Sequence, residues 1–301
     1  MTALSRFILS ADLHLVGTQP VARQDHDWLG TQRQALRFLV SQAIENDCPL
    51  VVVGDIFDHA KVATEVVVMA IQEFSRIREY NQEVYFLIGN HDAPGHDPDK
   101  IDTASLGVLL EIFPQIPQID GIQDAQPFGR DKDTGAQVVF THQLVFKDEA
   151  ARPPCAKGTT AQELLDSLPS ARWVFVGDLH HSFDYVSPDG RHVVSPGNMI
   201  AHTASMIEVD AKCALIALDT DNPVTWITIP DDPAMLTRDH LDTKAAKEDR
   251  LSGFMERVKG AGSTSLTFKD KLEARMGLQD ITATQTTAFL AVKAQATIEE
   301  K

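Results

Sequence analysis

The chain has 301 residues and a formal net charge of −16. Its length is enough to bury a large core, and we expect one α/β domain with a smaller appendage. A protein that binds nucleic acid with its whole surface is usually basic, so the acidic total argues against strong independent DNA binding. It does not exclude a nuclease, because acidic ligands cluster in such a site and bound metal ions locally reverse its sign.

Apolar runs and cysteines bear on the cellular location. The sequence has no run of about 18 apolar residues, so we expect no membrane span. Its first residues lack the basic region and the small-residue cleavage site of a signal peptide. The three cysteines, Cys48, Cys155 and Cys213, form no paired motif. These features favour a protein of the reducing cytoplasm whose thiols are mostly buried.

The first third of the chain alternates strand and helix patterns. Runs of apolar, mainly β-branched residues predict strands, and apolar positions at helical spacing predict helices. The predicted strands are 6–11, 50–53 and 84–88, and the predicted helices are 28–46 and 63–80. Such an order implies parallel strands joined by right-handed crossovers.

The pattern changes in the middle of the chain. A short helix is predicted at 104–113, short or edge strands at 116–127, a strand at 137–140, a helix at 160–168 and a strand at 173–176. Five further β runs, at 183–186, 191–195, 205–209, 213–218 and 224–229, predict an antiparallel second sheet. Two sheets with helices outside give a four-layer α-β-β-α sandwich over residues 1–230.

The composition turns polar and helical beyond the Pro-Asp-Asp-Pro segment at 230–233, so residues 231–301 are predicted to be a short helical region. Two apolar stripes lie in it: Leu251, Phe254, Met255 and Val258, then Phe268, Leu272 and Met276. The stripes either bind a partner or pack on the chain's own core, and the pattern favours neither.

Polar clusters follow five of the predicted strands. They are Asp12 and His14; Asp55 and Asp58; Asn90, His91 and Asp92; His142; and Asp178 and His180. Taken singly, each is explained by a capped turn or a loop histidine. Ligands gather at the carboxyl ends of parallel strands, and we expect all five clusters to point to one edge of one sheet. Together they predict a metal site.

This ordered series resembles the calcineurin-like metallophosphoesterase superfamily over about residues 6–230. The resemblance implies that two cations share Asp55. It assigns Asp12, His14, Asp55 and His180 to the first metal, and Asp55, Asn90, His142 and Asp178 to the second. Imidazole and carboxylate ligands suit Mn, Fe or Zn better than Ca. Two divalent cations are therefore expected, Mn first, with Mg or Fe as alternatives.

The resemblance also implies a chemistry. A metal pair holds a bridging hydroxide and clamps both oxygens of an in-line displacement at phosphorus. His91 would be the acid or electrostatic stabiliser for the leaving oxygen. Asp58 and Asp92 would orient His91 or the ligands, and their alternative is a local turn hydrogen bond.

One position departs from the family pattern. The family usually has Gly-His-x-His where this chain has Gly177, Asp178, Leu179 and His180. A carboxylate binds Mn well, so Asp178 can replace the imidazole, with His181 as the alternative ligand. His59 and His96 lie near the predicted rim, where they contact substrate or are simply exposed.

The motif details favour one branch of the superfamily. The second and third motifs lack the residues typical of serine/threonine phosphatases. The Gly-Asp-Ile-Phe-Asp run at 54–58 resembles that of SbcD-type DNA repair and recombination nucleases. The Ser-Pro-Gly-Asn run at 195–198 partly matches a segment of the same group, with Asn198 in place of a serine.

The SbcD resemblance implies a manganese-dependent exonuclease and endonuclease that acts on DNA. It further implies a homodimer and an SbcC-like coiled-coil ATPase partner that supplies DNA affinity. The short C-terminal region fits a reduced, phage-like version. The first alternative, favoured by the acidic charge, is a phosphoesterase for nucleotides, cyclic nucleotides or other small phosphoesters. The second is a scaffold that has lost its metals.

Overall fold

The computed structural model describes residues 5–116, 129–130, 137–207 and 209–239, together with residues 250, 252 and 255. The helices are α1 (Trp28–Glu45), α2 (Thr64–Ser75), α3 (Ser105–Leu110) and α4 (Ala161–Ser167). The strands are β1 (Arg6–Ser10), β2 (Leu50–Val53), β3 (Val84–Leu87), β4 (Gly129–Arg130), β5 (Gln137–His142), β6 (Val145–Phe146), β7 (Thr159–Thr160), β8 (Ala171–Gly177), β9 (Phe183–Val186), β10 (His192–Ser195), β11 (Lys212–Ala217) and β12 (Val224–Thr228).

Two five-stranded sheets form the centre of the fold. The first has the order β12-β11-β1-β2-β3 and the second the order β4-β5-β8-β10-β9. In each sheet three strands are parallel: β1, β2 and β3 in the first, and β5, β8 and β10 in the second. Strands β6 and β7 pair separately.

The predicted antiparallel second sheet is wrong in its membership. Strands β9 and β10 join β5 and β8, whereas β11 and β12 extend the first sheet through the pair of Phe7 with Ile216. The described residues of the run predicted at 205–209 form no strand, and a short 3₁₀ turn covers Ala204–Met206. A β pattern shows that a segment is extended but not which strand it pairs with, because tertiary packing decides that.

Alternating side chains confirm the four-layer arrangement. One side of the first sheet packs on the second sheet, where Phe7 contacts Phe140 and Phe175. The opposite side carries Ile8 and Val52, which pack with α1 and α2. The outer side of the second sheet packs on α4. Burying each large side chain stabilises the fold by about 1.5–3 kcal/mol.

Helix boundaries follow local chemistry. The carboxylate of Asp27 accepts from the Gly30 N–H at 2.9 Å and caps α1, as expected of an N-cap aspartate. At α4, Thr160 and Glu163 form a reciprocal capping box. The helix predicted at 63–80 is α-helical only to Ser75 and continues as a 3₁₀ turn.

A buried arginine joins the loop after β1 to the segment after β12. The Arg23 side chain is 0% exposed and pairs with Asp25 at 2.7 Å and Asp231 at 3.0 Å. The same segments exchange backbone hydrogen bonds: the Gln24 N–H donates to Met235 O at 2.8 Å, and the Thr237 N–H donates to Ala22 O at 2.8 Å. The chain following β12 is therefore fixed onto the loop that follows β1.

We expect Arg23→Ala to lower the free energy of unfolding by about 3–5 kcal/mol, because it leaves two partly or fully buried carboxylates without their cation. Arg33→Ala, which removes a 41% exposed side chain, is the matched control, and its expected cost is below about 1 kcal/mol. Chemical denaturation followed by circular dichroism measures both. Equal losses in the two variants would contradict the stabilising role of the buried cluster.

The chain divides into two compact units, Met1–Arg238 and Asp239–Lys301. The predicted boundary after residue 230 remains a prediction. Apart from Met255, the two predicted C-terminal stripes lie outside the described residues, and so does the region of strands predicted at 116–127 except for Ile116. In the part of the chain that the structure describes, no helix is long and apolar enough to cross a membrane.

Candidate metal centre

Strained turns follow the first two strands. Asp12, His14 and Asp55 have φ angles of 49°, 44° and 51°, in a region that residues other than glycine rarely adopt. Such a conformation costs about 1–3 kcal/mol per residue and is concentrated at functional sites. The two turns are joined by the Asp12 N–H, which donates to Gly54 O at 3.1 Å, and by the His14 N–H, which donates to Asp55 O at 3.0 Å.

Two motif glycines are required by close approach. Gly54 has a φ of +81°, and a Cβ there would overlap the imidazole of His142. A Cβ at Gly89 would overlap the backbone nitrogen and the carboxylate of Asp55. These glycines let side chains from different strands meet.

The polar clusters come from two sheets. Asp12, Asp55 and Asn90 follow strands of the first sheet, whereas His142 ends β5 and Asp178 follows β8 in the second. The expectation of one edge of one sheet is therefore wrong. The polar clusters come together because the two sheets pack face to face and bring the carboxyl ends of their parallel strands side by side.

The residues expected at the first metal lie together. Nitrogen and oxygen atoms of Asp12, His14 and His180 lie within 4.8 Å of one another. The Nε2 atoms of His14 and His180 are 3.1 Å apart, and the His14 Nε2 is 3.8 Å from Asp55 Oδ2. This convergence of imidazole and carboxylate donors is suited to one cation.

The residues expected at the second metal surround His142. Its Nε2 is 3.2 Å from Asp55 Oδ2, 3.0 Å from Asn90 Oδ1 and 4.0 Å from Asp178 Oδ1. Asp178 has a φ of 82°, and its N–H donates to both carboxylate oxygens of Asp12 at 3.1 Å. Neither Asp178 nor the exposed His181 belongs to a candidate ligand group among the described residues.

The electrostatics of the cluster follow from its burial. Burial raises the pKa of Asp12 to about 7, against the opposing charges of His142 and His14. Burial acts to lower the pKa of His142, but the hydrogen bond with Asp55 and the charges of both aspartates raise it to about 10. Burial, and then the charge of His14, lowers the pKa of His180 to about 4. His180 is therefore a neutral imidazole at pH 7, the form that binds a metal.

The donor set fits two divalent cations. Asp12 and Asp55 are 0% and 1% exposed, and buried carboxylates need positive partners or metal ions. They pair here with His14 and His142, which are themselves metal-binding groups. Oxygen and imidazole donors together fit Mn, Fe or Zn. Asp12, His14 and Asp55 each belong to two of the three candidate ligand groups, and Asp55 Oδ2 lies between His14 Nε2 at 3.8 Å and His142 Nε2 at 3.2 Å.

His91 stands beside the ligands on an exposed edge of the cluster. Its N–H donates to Asp55 Oδ1 at 2.9 Å, and its Nδ1 donates to the carbonyl oxygen of Asp58 at 2.6 Å. The Asp58 carboxylate instead faces His14 Nδ1 at 3.4 Å and His59 Nδ1 at 3.4 Å. The main chain of Asp58 therefore holds His91, and its side chain faces the candidate ligand His14. His91 also forms a candidate ligand group with His14 and Asp55.

Asp92 is buried and binds backbone groups. It accepts from the N–H groups of Gly89 at 2.9 Å, Phe57 at 2.9 Å and Ile56 at 3.2 Å. Burial, and then the charge of Asp55, raises the pKa of Asp92 to about 6. Its carboxylate ties the turn after β3 to the turn after β2. These bonds correspond to the local turn hydrogen bonding that was the alternative role of Asp92 in the sequence analysis.

The remaining histidines differ in position. His59 and His96 are exposed, and the Nδ1 of His96 donates to Asn90 O at 2.9 Å. Sequence reasoning missed His202, whose ring lies 5.6 Å from that of His14. Burial, and then the charge of His14, lowers the pKa of His202 to about 3. The nearest sequence signal was the partial motif that ends at Asn198.

Comparison with known proteins gives one family match. The model of the calcineurin-like phosphoesterase family matches residues 5–150. No curated protein sequence matches the chain.

Solved structures give similarity at low sequence identity. The protein TT1561 of Thermus thermophilus is 10% identical, with a TM-score of 0.45, over 75% of this chain and 100% of that one. A dimetal phosphatase from Danio rerio is 14% identical, with a TM-score of 0.43, over 77% and 100%. A cold-active protein-tyrosine phosphatase of a Shewanella species is 12% identical, with a TM-score of 0.38, over 75% and 81%.

The family match includes Asp12, His14, Asp55, Asn90 and His142. These are the residues that the two packed sheets bring together around the candidate ligand groups. With this match and this donor set, residues 5–150 are similar to the calcineurin-like phosphoesterase family, whose members are metal-dependent hydrolases.

Proposed function

We propose that the protein is an SbcD-like DNA nuclease subunit, a cytoplasmic phosphodiesterase that uses two divalent cations, Mn first. The observation that carries the proposal is the position of Asp55, whose Oδ2 lies 3.8 Å from His14 Nε2 and 3.2 Å from His142 Nε2, with the exposed His91 alongside. A nuclease, rather than another phosphoesterase, is favoured by the motifs at 54–58 and 195–198, which resemble those of SbcD-type nucleases.

The residues divide into holding and proton-donating roles. Asp12, His14, Asp55 and His180 would hold one cation; Asp55, Asn90, His142 and Asp178 would hold the other. When bound, a metal pair supplies Lewis acidity to a phosphoryl group and a nucleophile at neutral pH. The pairing of the buried aspartates with the histidines holds these side chains in place.

His91 would act on the leaving group. Because a carbonyl oxygen only accepts, the hydrogen bond to Asp58 O places a hydrogen on Nδ1 of His91. Its Nε2 is then the nitrogen left to face substrate, and in the imidazolium form it donates a proton to the leaving oxygen. The ring is exposed, so a substrate can reach it.

The acidic charge makes DNA affinity depend on a partner. With a net charge of −16, the chain repels a polyanion at long range. We propose that a homodimer works with an SbcC-like coiled-coil ATPase that supplies the basic surface. The same charge favours the second candidate, a phosphoesterase for nucleotides, cyclic nucleotides or other small phosphoesters.

A substrate comparison separates the two candidates. We expect Mn²⁺-dependent release of nucleotides from linear duplex DNA, increased by an SbcC-like ATPase. We also expect little release of phosphate from mononucleotides. Liquid chromatography of the products measures both, and a reaction with excess EDTA is the control. Intact DNA together with rapid turnover of mononucleotides or cyclic nucleotides would overturn the nuclease and support the second candidate.

A further inference from the structure

A third imidazole packs against the metal ligand His14. The rings of His14 and His202 meet edge to face, with centroids 5.6 Å apart and planes at 64°. The Nε2 of His202 is buried and has no hydrogen-bond partner among the described residues. It also lies in none of the candidate ligand groups there. The contact of His202 with His14 is therefore one of packing.

His202 is itself fixed from behind. Its ring meets the Trp28 ring edge to face, with centroids 5.5 Å apart and planes at 89°. The guanidinium of Arg23 lies over the Trp28 ring at 5.2 Å, and a cation over an aromatic face is held electrostatically. Since Arg23 is paired with Asp25 and Asp231, these contacts form a continuous row of packed side chains from Arg23 to His14.

The backbone before His202 is held by hydrogen bonds from Arg23 and within residues 198–202. Arg23 donates to the carbonyl of Ala201 at 3.2 Å, the residue next to His202. The side chain of Asn198 donates to Ile200 O, and the Met199 N–H donates to Asp12 O at 3.3 Å. Residues 198–202 therefore contact Asp12 through the main chain and His14 through the His202 ring.

We infer that His202 is a positioning residue, which restricts the ring of His14 to the orientation in which His14 binds the first metal. The inference rests on the dinuclear centre of the proposed function. A ligand held in its binding orientation loses less conformational entropy when the metal binds. Removing groups that orient ligands typically costs 10–100-fold in metal affinity.

Manganese titration of the metal-free full chain tests this role. We expect His202→Ala to weaken Mn²⁺ binding at the tighter position by about 10–100-fold. His202→Phe keeps a flat ring and should stay within about threefold of the wild type, and His202→Leu should lie between them. Isothermal titration calorimetry gives affinity and stoichiometry, and electron paramagnetic resonance reports the symmetry around the bound ion.

His192 provides the matched control. It also stacks on a tryptophan, Trp173, with ring centroids 3.9 Å apart, but it is in none of the ligand groups or ring contacts of His14. His192→Ala should therefore lower thermal stability without changing Mn²⁺ affinity. This separates positioning from a general loss of stability. If His202→Ala does not fold, the comparison of the Leu and Phe variants carries the test.

The outcomes are distinguishable. Wild-type affinity in His202→Ala or His202→Leu would overturn the positioning role and leave the metal centre intact. Equal losses in the Phe and Leu variants would also overturn it, because the ring would then not be the feature that matters. If the wild-type chain binds no Mn²⁺, the proposed metal centre itself fails.

Discussion

Replacing Asp55 by asparagine is expected to slow phosphodiester hydrolysis by about 10³-fold and to remove at least one Mn²⁺ ion per chain. The Asp55 carboxylate is 1% exposed, and its Oδ2 lies 3.8 Å from His14 Nε2 and 3.2 Å from His142 Nε2. A bound cation contributes several kcal/mol of transition-state stabilisation, and each 1.36 kcal/mol is a factor of ten in rate. Turnover of bis-p-nitrophenyl phosphate gives the rate, and calorimetry gives the metal count.

Asp189→Asn is the matched control for this substitution. Asp189 is an aspartate in the turn between β9 and β10, where it pairs with Arg191 at 2.7 Å, outside every ligand group of the described residues. The Asp189→Asn variant should keep the wild-type rate and metal count. An Asp55→Asn variant that retains both ions at wild-type affinity would contradict the shared-ligand assignment, whatever its rate.

His91→Ala is expected to reduce the rate by about 10²–10⁴-fold, the range for loss of a general acid, while both metal ions remain bound. The hydrogen bond to Asp55 comes from the backbone N–H of His91, so the substitution keeps it. Nuclease turnover and Mn²⁺ stoichiometry, measured on the same preparation, separate the two effects.

His26→Ala serves as the control for His91, because His26 is exposed in the loop before α1 and should change neither quantity. Loss of one ion in His91→Ala would show that His91 is a ligand, as its group with His14 and Asp55 allows. Retention of both ions and full rate would remove His91 from the mechanism.

Local patterns of apolar residues predicted many of the helices and strands. The buried run at 50–53 and the amphipathic helix at 28–46 are confirmed almost residue for residue by β2 and α1. The candidate site could also be predicted from the strand ends, because ligands gather at the carboxyl ends of parallel strands. Asp12, Asp55 and His142 do meet, as expected of strand-end residues.

The pairing of strands that are distant in the chain could not be predicted from the sequence. Strand β11 joins β1 in the first sheet. The apolar run of β11 would fit either sheet, and tertiary packing decides which strand it pairs with. For the same reason the site draws on two sheets instead of one. His202 was missed because a lone histidine in a loop has no periodicity, and its packing on His14 exists only in three dimensions.

In the proposed centre, two metal ions share Asp55 where the two sheets meet. Electron paramagnetic resonance of the wild-type chain with increasing Mn²⁺ tests it most directly. We predict two ions per chain and, at full loading, the exchange-coupled spectrum of a pair joined through a common carboxylate. A single bound ion, or two ions with the spectra of isolated Mn²⁺, would contradict the claim.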